Sequence, residues 1–153
     1  MNKNLSSDVK ISTALDLLGV AASADRNGAG LDMAGFDAVQ MIVKFAEVGA
    51  DAVTSIKAQQ SSDDGSADAY SDLEGTGQTI AHNDDNQIFI IDLVRPTKRY
   101  VRVVIDKDAG GATHVTDEMA LYAQYAARSL PVTQTVADEV TYELHVSPAE
   151  GTA

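Results

Sequence analysis

Alternating hydrophobic and polar positions predict strands along most of this chain, and the clearest lie within residues 84–105. Residues 87–94 form a nearly continuous apolar run that is interrupted by Asp92. In residues 100–105 every second side chain is valine or isoleucine, a period typical of a half-buried strand. Between the two runs, Pro96 fixes its own φ and has no N–H to donate, which favours a turn. We therefore predict a hairpin at the centre of the domain.

The same period predicts two further strands in the first half of the chain. The first covers residues 35–46, and one of its sides carries Val39, Met41, Val43 and Phe45. The second covers residues 52–60, and one of its sides carries Thr54, Ile56 and Ala58. Because antiparallel neighbours need only a short link, we predict that these two strands pair as a second hairpin.

The N-terminal region and residues 119–128 are less regular. Residues 1–10 are polar and are expected to fray or to form an arm, while residues 9–14 are a candidate first strand. Residues 15–21 could begin a helix, but Gly19 and the polar stretch after it favour a loop. The composition of residues 119–128 favours a helix. As a strand, however, they would place Met119, Leu121, Ala123 and Tyr125 on one side, and we predict a strand because the preceding elements are β.

The C-terminal region alternates over residues 138–146, which predicts one more strand. One side of it carries Val140, Tyr142, Leu144 and Val146. We divide the chain into a β-sandwich domain, residues 1–132, and a C-terminal extended segment or arm, residues 133–153. Whether the arm pairs within its own domain or on a neighbouring subunit is left open.

The composition agrees with one antiparallel β domain. The chain has 153 residues, of which 44% are hydrophobic, enough to bury a substantial core. The predicted fold is all-β, a single antiparallel β-sandwich of jelly-roll-like type with extended termini. Aromatic residues make up only 5% and tryptophan is absent, which argues against sugar platforms and against stacking on single-stranded nucleic acid.

Charge and cysteine content exclude further classes. With a net charge of −12, the chain would repel a phosphate backbone, so we expect no nucleic-acid partner. It has no cysteine, hence no disulfide and no thiolate zinc site. The N-terminus has no apolar signal-peptide core, and no apolar run approaches the ~18 residues of a membrane span. We expect a soluble protein made without a secretory signal and with no membrane partner.

The charges are segregated along the chain. Residues 58–94 contain eight carboxylates and no lysine or arginine. The next thirteen residues hold five of the eleven basic side chains, namely Arg95, Lys98, Arg99, Arg102 and Lys107. One interpretation is that Arg99 and Arg102 lie at a strand edge and pair with nearby carboxylates. The other is that the basic cluster docks on acidic groups of another subunit, since such segregation steers and orients association.

We accordingly predict two groups of interface residues. The first is Arg95, Lys98, Arg99 and Arg102, and the second is the apolar side of the arm, Val140, Tyr142, Leu144 and Val146.

Motifs that carry chemistry are missing from the sequence. It contains no phosphate-binding glycine loop, no G-x-S-x-G elbow and no H-E-x-x-H helix. His82, His114 and His145 lie far apart and are expected at the surface. The acidic pairs at residues 63–64 and 84–85 do not match a calcium loop and are better explained as turns. We predict no catalytic residue, no cofactor and no metal site, and hence no enzyme.

Several segments match a known pattern in order. They are Gly35-Phe36 with Val39, residues 59–65, residues 70–72, Ile91-Asp92-Leu93 followed by residues 98–102, and the closing Leu130-Pro131. This order of strands and turns resembles the small β-sandwich proteins that tailed phages encode beside the major capsid protein, regarded as head decoration or cement proteins. The resemblance covers residues 31–132 and contains no catalytic motif.

The resemblance implies a structural role without enzymatic activity. The chain would bind the major capsid protein and stabilise the assembled capsid, as a homo-oligomer that the resemblance suggests is a trimer. It would be made in the host cytoplasm and end on the capsid surface of the virion. Two alternatives stay open: another phage component such as a tail or neck protein, and a ligand- or glycan-binding β-domain that uses its Asp and Glu clusters.

Overall fold

The computed structural model describes residues 4–18, 24–49, 54–107, 115–134, 140–145 and 149–151. Within them the chain forms one short helix and ten strands. In chain order these are α1 (Leu5–Asp8), β1 (Lys10–Leu18), β2 (Arg26–Asn27), β3 (Leu31–Asp32), β4 (Phe36–Val48), β5 (Thr54–Ser61), β6 (Ser71–Asp72), β7 (Gln78–Ile80), β8 (Ile88–Val94), β9 (Tyr100–Lys107) and β10 (Val115–Ala127). No helix in these ranges has the length and apolarity that crossing a membrane requires.

The strands form two antiparallel sheets. The first sheet has the order β1-β10-β4-β8. The second is built on β9 and β5, which pair over eight positions, with β2 and β3 beside β9 and with β6 and β7 beside β5. Side chains from both sheets share one hydrophobic core. The predicted antiparallel β-sandwich is therefore confirmed.

The core comes from the alternating positions that the sequence indicates. The inner side chains of the three central strands are all 0% exposed: Val39, Met41, Val43 and Phe45 of β4, Thr54, Ile56 and Ala58 of β5, and Val101, Val103 and Ile105 of β9. Burying one large apolar side chain contributes about 1.5–3 kcal/mol, so these rows supply much of the energy that holds the sheets together.

The structure corrects both predicted hairpins. β4 pairs with β10 and β8 in the first sheet, whereas β5 pairs with β9 in the second. β8 and β9 likewise lie in different sheets, so residues 95–99 cross from one sheet to the other. Alternation shows which face of a strand is buried but does not identify its partner. The two short links that we interpreted as turns of hairpins are therefore connections between the sheets.

The N-terminus is more ordered than predicted. Instead of fraying, residues 5–8 form α1, which Asn4 caps by accepting a hydrogen bond of 2.8 Å from the Ser7 N–H. β1 continues to Leu18, so residues 15–18 form a strand and not the predicted loop. The register between β1 and β10 shifts on both sides of Leu15, and these bulges keep the strand paired despite its irregular pattern. Residues 19–21 lie outside the described residues.

β10 is the strand predicted over residues 119–128, and its more polar side faces the core. Glu118, Ala120, Tyr122 and Gln124 are buried, whereas the apolar row that begins at Met119 lies on the outer face. Gln124 donates a hydrogen bond of 2.9 Å to the Asp32 carbonyl. Burying such groups costs little only when they find partners. Each polar side chain of this row finds one across the sandwich, although Oε2 of Glu118 accepts no hydrogen bond from the described residues.

Tyr122 joins the two sheets through its hydroxyl group. The hydroxyl accepts a hydrogen bond of 3.0 Å from the Val103 N–H and donates one of 2.9 Å to the Ala29 carbonyl. Val103 lies in β9 between the positions where β2 and β3 pair, so the hydroxyl replaces a missing strand partner. Gly28 passes so close that a Cβ there would lie 2.7 Å from the hydroxyl oxygen. Burial raises the pKa of Tyr122 above its ordinary range, so it remains a donor.

A buried ion pair also joins the sheets. The Lys107 ammonium of β9 lies 2.6 Å from the Glu118 carboxylate of β10, and both side chains are almost fully buried. Arg26 of β2 contacts the same carboxylate at 3.3 Å. Lys107 continues the inner row of Val103 and Ile105, which explains why a lysine is buried here. Removing either partner would leave a buried charge uncompensated.

The C-terminal segment differs from its prediction. Residues 140–145 are not in a strand, so the strand predicted over residues 138–146 is wrong for this described part. Before it, Gln134 is buried, donates hydrogen bonds to the Ser6 and Val9 carbonyls and accepts one from the Ile11 N–H. Apolar side chains of residues 140–145 line a cleft with α1 and with β1, the edge strand of the first sheet, but residues 140–145 do not pair with that strand.

We predict that Tyr122→Phe lowers the free energy of unfolding by about 1–3 kcal/mol, because the buried Val103 N–H and Ala29 carbonyl lose their partner. Tyr125→Phe is the matched control, since its hydroxyl bonds to Asp92 on the exposed face. Its effect should stay within about 0.5 kcal/mol. Urea denaturation followed by circular dichroism measures both variants. Equal effects of the two substitutions would contradict the bridging role of Tyr122.

Candidate interaction surface: the basic cleft

Two arginines flank the beginning of β4. β8 and β10 both run antiparallel to β4, so both end where β4 starts. The first residue after β8 is Arg95, whose N–H donates a hydrogen bond of 2.7 Å to the Asp37 carbonyl. The first residue after β10 is Arg128, whose N–H donates one of 2.9 Å to the Gly35 carbonyl. Strand pairing thus fixes the backbone of both arginines at one end of the sandwich.

Between them lies an open cleft of about 760 Å³, which we call the basic cleft. Its lining combines the start of β4, the link between the sheets and the residue after β10. The lining residues are Met33, Ala34, Phe36, Asp37, Arg95, Pro96, Thr97, Lys98, Arg99 and Arg128. Four cations and one carboxylate therefore face this space, in a chain whose net charge is −12.

Arg99 is held by a carboxylate of its own chain. Its Nε and Nη2 donate to the two carboxylate oxygens of Asp32 at 2.9 and 2.6 Å, a bidentate geometry. This hydrogen bonding lowers the pKa of Asp32 and raises that of Arg99, so both groups stay charged. The guanidinium is fixed at the rim of the cleft and is more than half exposed.

Lys98 is held in the same way by the acidic loop that follows β5. Its Nζ lies 2.6 Å from a carboxylate oxygen of Asp68. The same oxygen accepts hydrogen bonds from the N–H and hydroxyl of Ser62. The bond with Lys98 is the main cause that lowers the pKa of Asp68 from its ordinary value of 3.8 to about 2. Residues 62–68 are thereby tied to the link between the sheets.

Arg128 also has a partner, because it donates to the Asp37 carboxylate at 3.1 and 2.9 Å. Arg95 is the cation of the cleft that differs. Arg95 forms no ion pair and no side-chain hydrogen bond with any residue in the described ranges, and its side chain is exposed. Its φ of 53° turns the chain away from β8. Arg95 is therefore the group in the cleft that is available to bind an external carboxylate or phosphate.

Arg102 belongs to a different surface. It lies opposite Gln59 on the second sheet, donates to that side chain at 2.8 Å and stacks over the Tyr70 ring at 4.1 Å from its centroid. Burial and a hydrogen bond to Asp64 raise the pKa of the Tyr70 hydroxyl. The structure thus brings Arg95, Lys98 and Arg99 together and separates the fourth basic residue of the predicted group from them.

The predicted apolar residues of the arm lie in a third place. Val140, Tyr142 and Leu144 line an apolar cleft of about 290 Å³ together with Leu5 and Ile11. Tyr142 and Leu144 are both more than half exposed. Val146 lies outside the described residues. Their role as interface residues remains a prediction.

Sequence reasoning did not identify Arg128 as part of the basic group. It is 33 positions from Arg95 and stands alone at the end of β10, so no local cluster marks it. The signal would have been the pairing of β4 with both β8 and β10, which places the two strand ends together. Because we predicted β4 to pair with β5, this signal was hidden.

The remaining candidates for chemistry are accounted for by local structure. His82 and His145 are exposed as predicted, whereas His114 lies outside the described residues. The Asp63 carboxylate accepts hydrogen bonds from the N–H groups of residues 66–68, and Asp84 accepts one from the Ala81 N–H. These are turn-stabilising bonds. Within the described ranges, no three His, Asp or Glu side chains are grouped so that they could hold a metal ion.

Comparison with known proteins adds one likeness of fold. No known protein family matches the chain, and no curated protein matches it. Among solved structures it is similar to the PBSX exported protein XepA, with a TM-score of 0.55 and 17% sequence identity. The match covers 96% of this chain and 46% of XepA, so the chain spans less than half the length of that protein. At this identity the likeness shows a shared fold.

The bond between Lys98 and Asp68 predicts a pH dependence of stability. The pKa of Asp68 is lowered to about 2 in the folded state, so the unfolded chain binds more protons just above that pH. Its contribution should be complete above about pH 4 and be lost as the pH falls towards 2. We expect Asp68→Asn and Lys98→Met each to flatten the stability profile between pH 2 and 4, measured by urea denaturation. Profiles that match the wild type in both variants would contradict this account.

Proposed function

We propose that this chain is a structural protein of a tailed-phage virion, which binds the assembled capsid through the basic cleft and stabilises it as a decoration protein. The observation that supports the proposal is that basic side chains are grouped around one cleft of an acidic chain. A chain with net charge −12 concentrates four of its eleven basic residues around one cleft and leaves Arg95 unpaired among the described residues.

Two of the segments that resemble phage decoration proteins support the proposal, because they contribute residues to the basic cleft. Phe36 and the link residues Lys98 and Arg99 line it. Asp68, which lies between two other segments of the pattern, binds Lys98. Residues that are distant in the sequence thus meet at one cleft.

The likeness to XepA supports the phage context at the level of fold. The same β-sandwich occurs in a phage-derived protein, although XepA is more than twice as long as this chain. The likeness assigns no partner. The capsid as partner and the position on the capsid surface come from the resemblance and belong to the proposal, which requires an oligomer and not a particular number of subunits.

The physical mode of attachment follows from the groups in the cleft. Arg95 would bind a carboxylate on the major capsid protein, and Lys98, Arg99 and Arg128, each paired with a carboxylate of its own chain, would form the walls around it. Such charges accelerate and orient docking more than they add affinity, and salt weakens them. An oligomer would engage several capsid subunits at once, so modest single contacts would give durable binding. No step of this role is enzymatic.

We predict that Arg95→Glu weakens binding to undecorated heads about tenfold at low salt, since the reversed charge repels the acidic partner. Co-sedimentation of purified protein with heads gives the bound fraction. Arg102→Ser is the control, because it removes a cation of the same stretch from a different surface, and it should bind like the wild type.

Two results would overturn the proposal. The first is wild-type protein that stays in the supernatant with heads at low and moderate salt. The second is electron microscopy of labelled virions that places the protein on the tail or neck, which would favour the alternative structural role.

A further inference from the structure

The outer face of the first sheet is apolar and uncovered by the described residues. Its central row runs across three strands through Leu121, Ile42 and Ile90, which lie directly opposite one another. At the edge strand β8, Ile88, Ile90 and Val94 are 58%, 45% and 59% exposed. On β10 the apolar row that begins at Met119 lies on this outer face because the row with Glu118, Tyr122 and Gln124 faces the core. A sheet normally turns its more polar face to water, so this face resembles half of an interior.

Opposite charges lie on the face at β4 and β8, where the polar side chains find partners within the chain. They are Lys44 and Asp92. Lys44 donates a hydrogen bond of 2.7 Å to the Asn86 carbonyl. The Asp92 carboxylate accepts bonds from Gln40 at 3.1 Å and Tyr125 at 2.6 Å. A second copy can approach this pair of opposite charges without the repulsion that a purely acidic surface would produce.

We propose that this face binds the same face of a second copy about a two-fold axis that runs along the row of Leu121, Ile42 and Ile90. This inference goes beyond the proposed function, because it concerns contact between copies of the chain and does not involve the basic cleft.

The two-fold arrangement is favoured by the charges on either side of the central row. Gln40 and Asp92 form the row on one side, and Lys44 and Ile88 form the row on the other. A two-fold axis along the central row exchanges these positions between copies. Lys44 of each copy then lies over Gln40 of the other, with a lateral offset of one strand spacing, about 4.8 Å, from Asp92. The face is self-complementary, as an isologous contact requires.

Shape points to the same arrangement. A groove of about 470 Å³ crosses the face, lined by residues that include Ile11, Ala123, Gln40 and Asp92. The axis places Lys44 and Met119 of the second copy over this groove. The stem of a lysine can pack on apolar walls while its ammonium reaches a carboxylate, which is what the groove offers.

The available area approaches that of a stable pair. Four strands at about 4.8 Å spacing and about eight residues at about 3.3 Å rise give a face of roughly 500 Å². Leu5 of α1 and the exposed Tyr142 and Leu144 continue the apolar surface beyond β1. Together they approach the roughly 800 Å² per partner of a standard interface. In a trimer this face would have to contact a different surface of the next copy. The rows on either side of the central row complement each other, which favours a dimer.

The test is the molar mass of the full chain by sedimentation equilibrium over a range of concentrations. We expect a reversible dimer for the wild type and at least a tenfold larger dissociation constant for Ile90→Lys, which places like charges near the axis. Thr79→Lys adds the same charge at an exposed position of the other sheet and should leave the dimer unchanged. Circular dichroism confirms that each variant is folded.

A charge swap tests the orientation. Lys44→Asp places an acid one strand away from Asp92 of the other copy and should weaken the dimer, while Lys44→Asp combined with Asp92→Lys should restore it. A monomeric or trimeric wild type, a swap that does not restore association, or equal loss in Thr79→Lys would each overturn the inference. Head binding by a monomeric Ile90→Lys variant would leave the proposed function intact, so the two proposals fail separately.

Discussion

Three polar side chains on β10 decide which face of that strand lies inside the sandwich. Glu118, Tyr122 and Gln124 all bond to groups of the opposite layer, through an ion pair, a bridging hydroxyl and an amide. These bonds would be lost, and the groups left unpaired, if the strand turned over. Because the polar row is committed to the interior, the apolar row must lie outside. The surface proposed to bind a second copy is therefore a consequence of how the core is built.

The crossing between the sheets has a similar consequence at the end of the molecule. Residues 95–99 connect β8 in one sheet to β9 in the other, so their basic side chains lie along the open end of the sandwich. Asp32 and Asp68 hold two of these cations in place. Arg128 lies beside them because β10 and β8 pair with opposite sides of β4 and both end where β4 begins. The cleft is thus a product of topology as much as of local composition.

Much of the strand content could be predicted, since burial of one face leaves a period of two in the sequence, as in β4 and β9. Pairing could not be predicted, because a five-residue link fits a hairpin and a sheet crossing equally well. The face of β10 was hidden for another reason: Glu118 and Gln124 look like solvent-facing residues until their partners, distant in sequence, are known. The strand predicted in the arm was wrong because residues 140–145 alternate between apolar and polar side chains without joining a sheet.

The central claim is that this protein acts by assembly, with the outer face of the first sheet covered in the assembled form. The chain contains no cysteine, so a single Ile90→Cys substitution provides a clean probe of that face. The most direct measurement is the rate at which this thiol reacts with a maleimide as protein concentration rises, compared with Thr79→Cys on the other sheet. The account predicts that the Ile90→Cys rate falls as the dimer forms while the Thr79→Cys rate stays constant. A rate at Ile90→Cys that does not change with concentration would contradict it.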